Sequence, residues 1–151
     1  METNTIAHPE IFIITTAHPL YPQVIELRQR VLRTPLGLNL FDEDLRIEEE
    51  EIVFVYAKDE RVSGCVMLKN VDAHTYKLRQ MAVAPEMQAE GIGRKLLAAT
   101  AEFASRNGRN RIVLHARATA VPFYLKDGYV VKGEQFEEVG IPHFYMEKQL
   151  S

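Results

Sequence analysis

The chain has 151 residues and a formal net charge of −3, and 26% of its residues are charged and 46% hydrophobic. This length fits one domain that can bury a core without metal or disulfide support, so we expect residues 1–151 to form a single domain. The sequence has no long basic tract and no run of about 18 apolar residues, which excludes the patterns of a nucleic-acid binder and of a membrane-spanning helix. Neither nucleic acid nor membrane is a predicted partner.

The N-terminus indicates the compartment. The first ten residues contain Glu2, His8 and Pro9 and no apolar block after a basic one, so a secretory signal is not expected. We therefore predict a cytoplasmic protein. Cys65 has no partner for an internal disulfide and lies in the apolar run 62–68. A buried, unreactive strand thiol is the favoured interpretation, with a catalytic thiol as the alternative.

The first half of the chain predicts one helix and three strands. A β-branched run at 11–16 predicts the first strand, and apolar residues at helical spacing over 24–32 predict the first helix. The segment 36–44 is a predicted loop with many apolar side chains, which we expect to fold over another part of the protein. Strands at 52–57 and 62–68 are joined by a charged turn and predict a hairpin.

The second half alternates strands with helices. We predict a strand at 76–83, a helix at 91–107, a strand at 111–115, a helix at 118–126 and strands at 129–132 and 141–147. Gly108 suits the position just after the C-terminus of the long helix. The order β-α-β-β-β-α-β-α-β-β contains no repeat and no linker, so it indicates one layered α/β structure.

The most informative stretch is the passage from an apolar strand through a loop into the helix at Gly91. The first turn of a helix carries unpaired N–H groups and positive dipole charge, and glycines let a phosphate approach the backbone. Gly91 and Gly93 are placed for this, and Arg94 and Lys95 add positive charge. Two such glycines can equally be turn and packing residues. A dinucleotide fingerprint needs a third glycine where Leu96 stands, and the P-loop pattern is absent.

Residues 88–93, Gln-Ala-Glu-Gly-Ile-Gly, follow a Val-x-Pro strand end and are similar to the Gln/Arg-x-x-Gly-x-Gly/Ala signature of GCN5-related N-acetyltransferases. In that family the loop backbone holds the coenzyme A pyrophosphate, and the preceding strand binds the pantetheine arm. The resemblance implies acetyl-CoA as co-substrate, with no metal. It assigns the arm to Met81, Ala82 and Val83, and the pyrophosphate to Gln88, Ala89, Glu90, Gly91, Ile92, Gly93, Arg94 and Lys95.

A second motif lies downstream at residues 120–129. It resembles the family's Ala-x-x-Phe-Tyr-x-x-x-Gly-Phe/Tyr helix and strand, and it adds Phe123 and Tyr124 to the implied coenzyme site. Residues 134–146 resemble the ElaA-like branch. One departure is Arg117, which stands where many members carry asparagine. The resemblance covers nearly the whole chain and implies a mixed, mostly antiparallel sheet flanked by helices, together with a homodimer.

Acetyl transfer requires a proton for the leaving thiolate and stabilisation of negative charge on the carbonyl oxygen. A phenol with a pKa of about 10 can protonate a thiolate whose thiol has a pKa of about 8.5. Tyr124 matches the family's general acid, although Phe123 and Tyr124 could also be only the core face of a short helix. A backbone N–H near Met81 to Val83 is expected to stabilise the oxygen.

The acceptor amine must lose a proton before it attacks. His143 is one possible base, and His115, the acidic run 48–51 and water are the others, since the sequence singles out none of them. On the first helix, Arg28 and Arg30 are predicted to bind a carboxylate or phosphate of the acceptor, or else to face solvent.

The predicted function is direct transfer of an acetyl group, in a ternary complex, from acetyl-CoA to a primary amine of a small molecule or peptide. A second hypothesis is a sensor that binds acyl-CoA without turnover. A third is a structural protein whose glycines serve only turns, which would require two spaced motifs to be coincidental. A coenzyme thermal-shift assay separates the third from the others, and thiol release with a panel of amines separates the first from the second.

Overall fold

The computed structural model describes residues 9–43 and 45–150, and the sequence interpretation of residues 1–8 and of Asp44 lies outside that part of the chain. The described residues form three α-helices and eight strands. The helices are α1 (Tyr21–Arg28), α2 (Ile92–Arg106) and α3 (Val121–Lys126). The strands are β1 (Ile11–Ile14), β2 (Ile52–Lys58), β3 (Arg61–Asp72), β4 (Thr75–Val83), β5 (Arg111–Arg117), β6 (Val130–Val131), β7 (Phe136–Glu138) and β8 (Ile141–Gln149).

All eight strands belong to one sheet, in the order β1-β2-β3-β4-β5-β8-β6, with β7 paired to β8. Within the described part of the chain, only the β4–β5 pair is parallel, and the other neighbours are antiparallel. The predicted mixed, mostly antiparallel sheet flanked by helices is therefore confirmed. The sequence prediction missed β7, because this three-residue strand has the composition Phe-Glu-Glu and carries no apolar alternation.

The helices cover both faces of the sheet. Alternate residues of β2 and β3 face opposite ways: Val53 and Met67 pack with α1, whereas Phe54 and Leu68 pack with α2. Strands that are buried on both faces read as unbroken apolar runs, which is the pattern of β2 and β3. The half of the sheet beyond β4 has α2 and α3 on one face only, since the short α1 packs on β3 and β4.

The helical pattern predicted over 24–32 continues past α1 in a different geometry. A π-helical turn (Gln29–Arg33) and a 3₁₀ turn (Thr34–Leu36) follow the helix, and Gly37 ends the segment at a φ of 73°. The loop that comes next inserts Leu40 fully into the core, and the Leu40 N–H donates to Oε1 of Gln29 at 2.7 Å. The apolar loop thus packs through Leu40, whereas Leu38 and Phe41 stay exposed.

Helix α2 approaches the sheet closely beside β4. A Cβ placed on Gly64 of β3 would lie 2.7 Å from Cγ2 of Ile92, so only glycine allows the start of α2 to sit this near. At the other end Gly108 adopts a φ of 77° directly after the helix, which confirms its predicted position. The close contact at Gly64 fixes where the N-terminus of α2 stands.

Two compositional predictions can be compared with the structure. Cys65 lies in β3 and is completely buried, and this burial raises the pKa of its thiol to about 12. The expected buried cysteine is confirmed. Among the helices of the described residues, none combines the length and apolar character required to span a membrane.

Candidate active site

The central feature of the site is the separation of β4 from β5. The two strands pair from Thr75 and Arg111 as far as Leu78 and Leu114, and no pairs follow. Beyond this point β4 continues along β3, while β5 continues along β8. Within residues 9–43 and 45–150, the edge of β4 that faces β5 therefore carries no partner strand over its last five residues.

A β-bulge causes the separation. Met67 pairs with Arg79 and Cys65 pairs with Ala82, so one residue of β3 lies opposite two residues of β4. Gln80, one of these two, has a φ of 58°, which is left-handed backbone in a residue other than glycine. A bulge bends its strand and increases the local twist, which turns β4 away from β5.

A cavity of about 220 Å³ lies at this separation. Its walls come from β4, β5, the start of α3 and the strands β7 and β8. The lining includes the predicted residues Met81, Tyr124 and His143, and also Arg33, Lys77, Arg79, His115, Arg117 and Glu138. Three of the residues predicted from sequence, Met81, Tyr124 and His143, therefore lie at the same cavity.

The N-terminus of α2 has the geometry expected of an anion site. The bond from the Lys95 N–H to the Gly91 carbonyl, 3.1 Å long, opens the helix, so the N–H groups of Ile92, Gly93 and Arg94 precede any intrahelical acceptor. Gly91 has a φ of 76°. A Cβ on Gly93 would lie 2.9 Å from Cζ of Phe123, so α2 and α3 touch at this glycine. These contacts unite the two sequence motifs.

The other predicted pyrophosphate residues differ in what their side chains do. Gln88 donates from Nε2 to the Val83 carbonyl at 3.1 Å, so this side chain fastens the loop to the end of β4. Ala89, Glu90 and Arg94 are exposed. The Lys95 ammonium lies 5.9 Å from the centre of the Tyr56 ring, in a cation–π contact rather than over the loop. No local sequence pattern predicts either side-chain contact.

Tyr124 is held in a cluster of aromatic rings. It is 7% exposed, and its ring makes edge contacts with Phe123 and Tyr129 at centroid distances of 5.0 and 5.6 Å. Burial raises the pKa of the Tyr124 phenol above its usual value of 10, and the nearby Arg117 charge opposes this in part. The hydroxyl therefore stays protonated and able to donate at neutral pH.

Two histidines share one carboxylate in the cavity wall. Glu138 Oε1 lies 2.8 Å from His115 Nδ1, and Glu138 Oε2 lies 4.0 Å from His143 Nε2. His143 is 3% exposed, and its Nδ1 lies 3.0 Å from the Ile141 carbonyl. A carbonyl can only accept, so Nδ1 of His143 carries the hydrogen and Nε2 of the neutral ring keeps a free lone pair.

The two arginines predicted to bind the acceptor lie elsewhere. Arg28 is fully buried and donates to both carboxylate oxygens of Glu48, at 2.9 and 2.8 Å. No face of its guanidinium is therefore open to a substrate, and the predicted role of Arg28 in acceptor binding is wrong. Arg30 is half-exposed and pairs with Glu86 on a separate groove. Neither residue lines the cavity.

The acidic run 48–51, one of the alternatives for the base, is partly internal. Glu48 and Glu51 are both buried, and both approach Arg79. They therefore act as structural ion-pair partners. No group of three or more metal-binding side chains with suitable geometry occurs among residues 9–43 and 45–150.

Sequence reasoning missed Lys77 and Glu138. Lys77 and Arg79 lie two apart on β4, and this polar alternation indicates an uncovered face of the strand. Glu138 lies on the unpredicted β7, so its proximity to the histidines depends on a pairing that has no local signal.

The site combines a sheet that opens beside a helix N-terminus with a cavity lined by Tyr124 and His143. The family model described as "Acetyltransferase (GNAT) domain" matches residues 37–150. The chain belongs to this GNAT acetyltransferase family, which confirms the family predicted from the motifs. The chain is also 35% identical over 107 residues to the uncharacterized N-acetyltransferase YjcF of Bacillus subtilis (strain 168), covering 70% of this chain and 74% of that protein.

Solved structures share the fold. The crystal structure of Escherichia coli ElaA matches with a TM-score of 0.76 and 17% identity, over 92% of this chain and 98% of that one. A GNAT family acetyltransferase from Elizabethkingia anophelis, solved with acetyl-CoA bound, matches with a TM-score of 0.70 and 18% identity, over 93% and 97% of the two chains. At these identities the likeness establishes the architecture alone.

Proposed function

We propose that the protein, acting as a single domain, transfers the acetyl group of acetyl-CoA directly to a primary amine of a small molecule or peptide within a ternary complex. The observation that carries this proposal is the gap between β4 and β5. The gap leaves a strand edge free beside the N-terminus of α2, and Tyr124 and His143 line the cavity at the same place.

The described residues fit coenzyme A. The pyrophosphate would bind the first-turn N–H groups of α2, where Gly91 leaves the backbone open, since a Cβ there would meet no atom within 4 Å. The pantetheine arm would lie along the free edge of β4 at Met81, Ala82 and Val83. Acetyl-CoA would supply the acetyl group as a thioester. The carbonyl carbon of that thioester is open to attack by an amine.

The side chains of the cavity supply the proton transfers. A C–N bond forms between the acceptor and the acetyl carbon, and the C–S bond breaks. His143 Nε2 takes the proton that the amine must lose, and the Tyr124 hydroxyl gives a proton to the departing sulfur. A β4 backbone N–H near Met81 stabilises the charge that develops on the carbonyl oxygen. Solvent then returns the proton from His143 to Tyr124.

A specific contact also favours His115 as the base. Its Nδ1 is bonded to Glu138, which leaves its Nε2 as the basic nitrogen, as in a carboxylate–histidine pair. His143 is preferred because it is buried and its tautomer is fixed by a backbone carbonyl, whereas the His115 side chain is 30% exposed. Substituting each histidine in turn distinguishes the two candidate bases.

The cavity volume restricts the acceptor. About 220 Å³ is below the usual range of about 300–1,000 Å³ for sites that enclose a drug-sized ligand. The acceptor is therefore a small amine, or only the amine-bearing end of a larger molecule enters. Assembly as a homodimer and a cytoplasmic location stay predictions from the sequence.

Two assays test the proposed function. Coenzyme A should raise the melting temperature of the protein, and acetyl-CoA should release free thiol only when an amine acceptor is present. A shift without thiol release across a broad amine panel would indicate a sensor rather than an enzyme. The absence of any shift at millimolar coenzyme would contradict the coenzyme site itself.

A further inference from the structure

We propose that the amine acceptor carries an anionic group, a carboxylate or a phosphate, a few bonds from its nitrogen, and that Arg117 and Lys77 bind this group. The inference rests on the proposed function in one respect, namely that the ligand's amine is the nucleophile. The chain as a whole has a net charge of −3, so positive charge concentrated in its central cavity is a local property of the site.

The cavity contains four cationic side chains and one carboxylate. Arg33, Lys77, Arg79 and Arg117 line it, against Glu138. Arg33 is paired with Glu43, and Arg79 is paired with Glu51. Lys77 and Arg117 differ from these, because no carboxylate among residues 9–43 and 45–150 lies within ion-pair distance of either. These two cations therefore have no close ion-pair partner among the described residues, and Glu138 attracts both from beyond ion-pair distance.

Arg117 has unused hydrogen-bonding capacity. Within the described part of the chain its guanidinium makes one hydrogen bond, from Nη2 to the Leu32 carbonyl at 2.8 Å. A guanidinium has five N–H donors in a planar fork that matches a carboxylate or phosphate. Burial, followed by repulsion from Arg33, lowers the pKa of Arg117, and burial lowers that of Lys77. An anion in the cavity would relieve both effects.

The position of Arg117 sets how far the anion lies from the amine. Arg117 of β5 and His143 of β8 are directly paired residues of antiparallel strands. Their Cβ atoms are thus about 5 Å apart and their side chains project from the same face. A ligand whose anion binds Arg117 while its amine reaches His143 must be compact. Glu138, beside His143, adds the negative charge that attracts an ammonium group before deprotonation.

Arg117 also stands where many family members carry asparagine, so it could instead contact the coenzyme. The two possibilities differ in a measurable way. A contact to the acceptor anion affects only anionic acceptors, whereas a contact to the coenzyme affects coenzyme affinity and all acceptors equally.

The experiment uses acceptor pairs that differ in the anion alone. Glycine, β-alanine and 4-aminobutanoate are each compared with the corresponding amide, and phosphoethanolamine is compared with ethanolamine. The phosphate pair distinguishes the two sources of anion. Each pair is measured by thiol release, and also by calorimetric binding to the coenzyme-loaded protein, which needs no turnover. An amide has the less basic amine, so deprotonation alone would favour the amide over the acid.

We expect at least one short anionic acceptor to exceed its neutral partner about 10-fold or more in kcat/KM or in affinity. Arg117→Gln and Lys77→Gln should each reduce this preference, by about 10- to 100-fold for Arg117, mainly through KM and with coenzyme affinity unchanged. Arg61→Gln removes an exposed cation from the first position of β3 and is the matched control. It should leave the preference as in the parent.

The outcomes of the two assays separate the two proposals. Turnover of neutral and anionic partners at equal efficiency would overturn the anion site and keep the acetyltransferase. Arg117-dependent binding of an acid without any turnover would keep the anion site and contradict the proposed function. Loss of coenzyme affinity in Arg117→Gln with an unchanged acid preference would assign Arg117 to the coenzyme. If neither assay shows a preference for any acid, the inference is wrong. This comparison uses only the parent protein, so it tests the inference even if a variant fails to fold.

Discussion

Arg28 and Glu48 form a two-point ion pair inside the protein, with side-chain exposures of 0% and 3%. Glu48 lies in the segment that precedes β2, so the pair joins α1 to the start of that strand. Glu48 also lies 3.8 Å from Arg79, which lines the cavity. Burial by itself would lower the pKa of Arg28, but Glu48 outweighs it and the pKa is raised. The Arg28 guanidinium therefore remains charged.

Arg28→Ala should lower the free energy of unfolding by about 3–5 kcal/mol, because it leaves the Glu48 carboxylate buried without its counterion. Urea denaturation measures this change. Arg30→Ala is the matched control, since Arg30 lies in the π-helical turn that follows α1 and its partner Glu86 is on the surface. The control should change stability little. Equal effects of the two substitutions would mean that the buried pair carries no special stability.

Gly93→Val should abolish coenzyme A binding in a protein that still folds. A Cβ at Gly93 would lie 2.9 Å from Cζ of Phe123, so the larger side chain displaces α3 from the start of α2. Gly91→Ala is the comparison, because its Cβ meets no atom within 4 Å but its backbone is left-handed. Gly91→Ala should lower the free energy of unfolding by about 1 kcal/mol and retain much of the coenzyme A binding. Calorimetric titration would contradict the assignment if Gly93→Val bound coenzyme A like the parent.

Cys65 should react very slowly with a thiol reagent in the native protein. Its pKa is raised to about 12 by burial, so the nucleophilic thiolate is scarce at pH 8, and the sulfur is also inaccessible. Absorbance after addition of an aromatic disulfide measures the reaction. In denaturant the same thiol should react at the rate of an ordinary cysteine. Rapid native reaction, without loss of fold, would show that the strand opens at this point.

His143→Gln should reduce kcat while coenzyme A affinity is retained. Glutamine can still donate to the Ile141 carbonyl, but it offers no basic nitrogen to the amine. His115→Gln keeps the other candidate intact and should have the smaller effect on kcat. Steady-state rates with one working amine measure both. If His115→Gln causes the larger loss, the base is the histidine paired with Glu138, and His143 is a packing residue.

The two motifs were recognisable from sequence because each depends on local backbone geometry. A strand end, a glycine turn and a helix start fix where Gly91 and Gly93 stand, and a short helix fixes Phe123 and Tyr124. The order of strands and helices followed from apolar periodicity for the same reason. These features need no knowledge of distant parts of the chain.

The composition of the cavity wall could not be predicted in the same way. Arg28, Arg30 and Arg33 look equivalent on a helical pattern, yet the first is buried, the second is exposed and the third lines the cavity. The burial or exposure of each arginine depends on its partner, which is Glu48, Glu86 or Glu43 in turn. The positions of these glutamates are set by the loops and not by the spacing of the arginines. Glu138 was missed because its strand forms only against β8.

Tyr124→Phe should lower kcat by about 10²-fold, within a general acid–base range of about 10²–10⁴, and leave coenzyme A affinity unchanged. The ring contacts with Phe123 and Tyr129 survive the substitution, so only the proton donor is lost. The lower end applies because a thiolate is already a fair leaving group, and amine attack or product release could limit the rate in part. Steady-state kcat and calorimetric binding on the same preparations measure the two effects separately.

The raised pKa of Tyr124 gives this prediction a second measurement. A phenol must be protonated to act as the acid, and burial moves its deprotonation above the usual pH of about 10. Deprotonation of Tyr124 should therefore reduce activity only above about pH 10 in the parent. Tyr124→Phe should show no such loss. Tyr129→Phe removes a neighbouring buried hydroxyl and controls for general effects. An unchanged kcat in Tyr124→Phe, with full coenzyme binding, would make Tyr124 a packing residue and leave water as the proton donor.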